Sequence, residues 1–116
     1  MTTTSSQPCT LSTHILDTSL GHPAQGIQVT LEFESGSQWT HVSKGTTNAD
    51  GRIAFPDPLP AGQYRLHFQI AEYFKKNGIT PFFTLAPVVF QITDTSRKYH
   101  VPLLLNPYGY STYRGS

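Results

Sequence analysis

Histidine and arginine are the residues of this sequence best suited to chemistry near neutral pH, the first as acid or base and the second as a planar partner for developing negative charge. Five histidines are present, His14, His22, His41, His67 and His100. His22 falls in the turn Gly21-His22-Pro23, and His41 and His67 take polar positions of alternating strands, so these three are read as hydrogen-bonded or surface residues. His14 and His100 differ, because each shares its strand face with apolar neighbours. Arg52 follows the turn Asn48-Ala49-Asp50-Gly51 and, taken alone, reads as a solvated arginine. Neither an H-x-H nor a C-x-x-C pair occurs, so no metal site is expected. A G-x-S-x-G elbow of the serine-hydrolase kind is missing too. Cys9, the only cysteine, stands in a Thr/Ser-rich lead and is read as an incidental thiol.

Strands must position these side chains. Ile27, Val29, Leu31 and Phe33 alternate with polar residues, and the same period of two returns at Tyr64, Leu66, Phe68 and Ile70 and more loosely at Val88, Phe90 and Ile92. Turn-forming residues separate the runs: Ser35 to Ser37, Asn48 to Gly51, Pro56 to Pro60, and Ala61-Gly62. Ala71 to Gly78 breaks the period, with helix formers, two closing lysines and a glycine stop, and reads as one short helix. In Leu11 to Leu16, inward Leu11, Thr13 and Ile15 leave His14 and Leu16 on the opposite face. In Tyr99 to Leu105, inward Tyr99, Val101, Leu103 and Leu105 leave His100, Pro102 and Leu104 outside. A two-layer sandwich buries one face of each sheet, so apolar residues on the second face point to a subunit interface that holds both histidines. The terminus Asn106 to Ser116 carries three of the six tyrosines and reads as a final strand with Tyr110 and Thr112 facing the core.

A chain of 116 residues is expected to form one domain, here residues 10–116 behind a disordered lead of residues 1–9. The formal net charge is +1, so no broad field draws nucleic acid or an anionic membrane, and neither partner is expected. One cysteine permits no intrachain disulfide, and the start has neither a basic n-region nor an apolar h-region; the cytoplasm is the expected compartment. Nine Gly, nine Pro and only 13% charged residues favour an all-β sandwich or barrel.

Three segments, LSTHILDTSLGHPAQGI (Leu11 to Ile27), TNADGRI (Thr47 to Ile53) and KYHVPLLLNPYGYSTYRGS (Lys98 to Ser116), resemble the signature regions of 5-hydroxyisourate hydrolases of the transthyretin-like family. The resemblance runs in order from about Thr10 to the closing YRGS tetrapeptide. It implies a transthyretin-like two-sheet β-sandwich of about eight strands with one short helix, assembled as a homotetramer, a dimer of dimers with a channel between the pairs. It implies His14, Arg52 and His100 as catalytic residues and His14, Arg52, Tyr113 and Ser116 as substrate-binding residues. The implied reaction is hydrolysis of 5-hydroxyisourate to 2-oxo-4-hydroxy-4-carboxy-5-ureidoimidazoline, without a cofactor. Lys98, Asn106 and Thr84 depart from residues common in the family, and none is an implied site position. A transthyretin-like carrier is the rival reading, set apart by the His/Arg/His/YRGS combination; a secreted structural sandwich would carry a signal peptide.

Overall fold

The computed structural model describes residues 9–115; residues 1–8 and Ser116 lie outside the described residues. Among the described residues nine strands and one helix follow in order: β1 (Leu11–Asp17), β2 (His22–Pro23), β3 (Gln28–Ser35), β4 (Gln38–Thr46), β5 (Arg52–Phe55), β6 (Gly62–Gln69), α1 (Ile70–Lys76), β7 (Ala86–Ile92), β8 (Tyr99–Asn106) and β9 (Gly109–Thr112). The expected eight become nine because His22 and Pro23, read as part of a turn, pair briefly with Asp17 and Leu16.

Two sheets form the sandwich. One has the order β2-β1-β8-β9, with β5 sharing the β1 edge that β2 uses, and the other the order β4-β3-β6-β7. β1 and β8 run parallel from Leu11 beside Tyr99 to Asp17 beside Leu105, whereas the second sheet is antiparallel throughout. The inward residues of β1 and β8 meet Val29, Leu31, Leu66 and Phe68 in one apolar cluster, as the period of two requires. The helix starts one residue earlier than expected: Ile70 continues the inward row of β6 but is helical, and it is buried with Tyr73 and Phe74. No residue of β4 is buried, as befits a polar edge strand.

Cys9 corrects the reading of the lead. It is buried in the core cluster, and its carbonyl accepts a hydrogen bond of 2.8 Å from the Leu59 N–H. Burial, aided by the Asp94 charge, pushes its thiol pKa up, which keeps it unreactive. Among the described residues no helix is long and apolar enough to cross a membrane.

Candidate active site

The outer face of the first sheet assembles the site. Leu11, Thr13 and Ile15 are buried inward, so Ser12, His14 and Leu16 lie outward and half-buried. Antiparallel pairing sets Arg52 of β5 directly opposite His14. On the other side of β1, parallel pairing sets His100 beside Ser12 and Pro102 beside His14. Opposed residues in a sheet lie about 5 Å apart and diagonal ones about 7–8 Å, so Arg52, His14 and His100 form a compact group across three strands.

The turn before β5 aims Arg52. Asn48 Oδ1 accepts hydrogen bonds from the Asp50 and Arg52 N–H groups at 2.9 and 3.0 Å. Gly51 has φ +72°, and a Cβ there would sit 2.5 Å from the Ile15 carbonyl oxygen, so the position needs glycine for conformation and for space. The Gly51 carbonyl in turn accepts the Ile15 N–H at 2.8 Å. This bond fixes the register that faces Arg52 to His14.

His100 has the most perturbed environment of the group. Burial, then the Arg52 charge, then His14 hold its pKa below the ordinary histidine value, against a hydrogen bond to the Ser12 backbone that pulls it up. The ring is therefore neutral near pH 7 and able to accept a proton. Ser12 Oγ lies 2.8 Å from its Nδ1. Ser12 escaped the reading of the sequence because a serine on a strand has no signature; its partner lies 88 positions away.

The tail only partly follows expectation. Tyr110 packs against the core and lies edge-on to Phe83 at 5.5 Å between ring centroids. Thr112 is exposed instead of core-facing, because β9 is the edge strand and its hydroxyl donates to the Pro102 carbonyl at 2.6 Å. Tyr113 is exposed and, with His100, lines a cleft of about 210 Å³ between β7 and the tail. His14 and Arg52 do not line that cleft. They lie on the open sheet face, paired across β1 and β5. Arg114 stacks its guanidinium 5.3 Å from the Tyr99 ring centroid, which ties the tail down. Ser116 lies outside the described residues. Among the described residues no group of three or more His, Cys, Asp or Glu could hold a metal ion.

The description HIUase/Transthyretin family matches residues 11–115 of this chain. The chain belongs to the HIUase/Transthyretin family. Within it, the 5-hydroxyisourate hydrolase of Salmonella typhimurium is 48% identical over 109 residues, covering 91% of this chain and 80% of the relative. The solved 5-hydroxyisourate hydrolase of Klebsiella pneumoniae superposes with a TM-score of 0.83 at 44% identity, covering 93% of this chain and 99% of that one. Sea bream transthyretin in complex with thyroxine reaches 0.86 at 34% identity, covering 92% and 95%. The backbone is thus common to both branches of the family. The higher identities go with the hydrolases.

Proposed function

We propose that this chain hydrolyses 5-hydroxyisourate to 2-oxo-4-hydroxy-4-carboxy-5-ureidoimidazoline in urate degradation, in the cytoplasm and as a homotetramer built as a dimer of dimers. The observation that carries the reading is the register that faces Arg52 to His14 and brings His100 onto the same sheet face. Opening a ring amide with water needs a base for the water and a cation for the carbonyl oxygen. His14 and His100 activate the water and relay its proton. The hydroxide adds to the carbonyl carbon, Arg52 stabilises the oxyanion, and the C–N bond then breaks as the relayed proton reaches the departing nitrogen. Tyr113 and Ser116 hydrogen-bond the substrate. Water is the only co-reactant.

The test is to generate the substrate from urate with urate oxidase and follow decay of its ultraviolet absorbance with and without the purified protein. A decay no faster than the spontaneous one sinks the proposal. A carrier reading draws on the fold shared with the thyroxine-bound transthyretin. It forecasts ligand binding without turnover, so the same assay separates the two.

A further inference from the structure

His100 is gripped on two edges of its ring by residues to which the reaction above gives no role. On one edge Ser12 Oγ sits 2.8 Å from Nδ1. On the other, a Cβ placed on Gly115 would lie 2.6 Å from His100 Cδ2 and 3.2 Å from Cγ. Gly115 does not have a positive φ, so space and not backbone conformation demands glycine there. The Gly115 N–H also donates to the His100 carbonyl at 2.8 Å, which holds the tail against the ring it covers. An imidazole with Nδ1 engaged and Cδ2 covered has Nε2 as its remaining nitrogen.

We infer that Ser12 and Gly115 are positioning residues for His100: Ser12 accepts the Nδ1–H hydrogen bond and Gly115 seats the ring, which leaves Nε2 unprotonated to take the proton of the attacking water. This inference rests on the hydrolase reading. A neutral imidazole carries one proton, and the partner of one nitrogen decides the state of the other. The Ser12 backbone, whose carbonyl can only accept, raises the His100 pKa as an acceptor for a ring N–H does, so the ring edge turned to Ser12 is the one that carries the proton. Ser12 is well placed for the task, because the next residue, Thr13, donates its buried hydroxyl to the Val101 carbonyl at 2.6 Å and locks β1 to β8 at that level. Without the Ser12 hydroxyl the proton can shift to Nε2, and a protonated Nε2 cannot act as the base.

Histidine-selective ¹⁵N labelling of the intact protein near neutral pH reads the tautomer directly, with the His100 signals assigned by their loss in His100→Asn. The parent should show a pyrrole-type Nδ1 and a pyridine-type Nε2. In Ser12→Ala the pattern should move toward Nε2–H and kcat should fall about tenfold or more with KM little changed, since a positioned base contributes about 10²–10⁴-fold and a mixed tautomer forfeits part of that. Ser12→Thr should restore both. Gly115→Ala should lower kcat in the same manner by tilting the ring, with Tm within a few degrees of the parent. A protonated Nε2 in the parent overturns the inference, as does a Ser12→Ala protein that keeps the parent's ring pattern and kcat. A parent that fails to hydrolyse 5-hydroxyisourate overturns the functional reading instead, and the ring pattern still decides what Ser12 holds.

Discussion

Arg52, proposed above as the oxyanion partner, also acts on its neighbours. After burial, its charge is the largest cause of the lowered His100 pKa, and both keep the ring neutral. Protonating His100 removes a base, so the acid limb of the pH profile of kcat/KM should lie below the ordinary histidine value of about 6.5. Arg52→Gln deletes the charge and keeps a polar side chain, so the His100 titration followed by NMR should move up toward that value. Turnover should fall about 10²-fold or more with the loss of the oxyanion partner. A titration unmoved by Arg52→Gln would separate the two residues and break the proposed site. His14, Arg52, His100 and Tyr113 were nameable because motif and strand face mark them. Ser12 was not, and Gly115 was marked only as part of the closing YRGS motif, because each meets His100 from another strand or from further along the chain.

Strands explain why the proposed catalytic row was half-legible. The alternation in β1 and β8 put His14 and His100 on outward faces, and the structure keeps them there. That Arg52 should face His14 depends on a turn whose geometry hangs on the Ile15 N–H to Gly51 carbonyl bond, a contact between strands that composition does not reveal. β4 was marked only through His41, read as a polar position of an alternating strand, because an edge strand that buries no residue shows little else. The far end of β1 depends on Asp17, a buried carboxylate that accepts hydrogen bonds from Tyr73 Oη at 2.7 Å, Ser19 Oγ at 2.5 Å and the Ser19 and Leu20 N–H groups. Burial raises its pKa, but those hydrogen bonds outweigh it and leave the value lowered. Its contribution is therefore complete above the unfolded value of about 3.9 and is lost as pH falls through the folded one. Tyr73→Phe strips one bond from a charged acceptor and ties α1 less firmly to β1, at a cost of about 1.5–3 kcal/mol. Urea denaturation at neutral pH measures that cost, and a difference under about 0.5 kcal/mol, the scatter of ordinary surface substitutions, would refute the tether.

A single chain leaves this row of residues uncovered, and that bears on assembly. Arg52 is exposed, His14 and His100 are half-buried, and Leu16 and Leu104 lie half-buried on the same outer face. Pro102, expected to add to that apolar face, is already buried within the chain. Exposed aromatics also lie near the end of β8: Phe82 is 71% exposed and Tyr108 76%, and the Phe82 N–H donates to the Pro107 carbonyl in the β8–β9 turn at 2.7 Å. Large apolar groups left uncovered in this way mark a contact surface. In the proposed dimer of dimers this face meets its symmetry mate, so the two copies of Leu104 approach one apolar seam. Leu104→Glu places carboxylates in that seam, where burying an unpaired charge is far more costly than keeping it in water. Because Leu104 is half-buried and not part of the core cluster, the sandwich itself should survive, with Tm reduced only by the loss of assembly. Sedimentation at micromolar concentration should show dimers in place of tetramers, and hydrolysis should fall in step, since the catalytic row then faces open water and lacks its second wall. Tetramers with parental turnover in Leu104→Glu would place the interface elsewhere, and a dimer with parental turnover would show that one side of the channel is sufficient for the reaction.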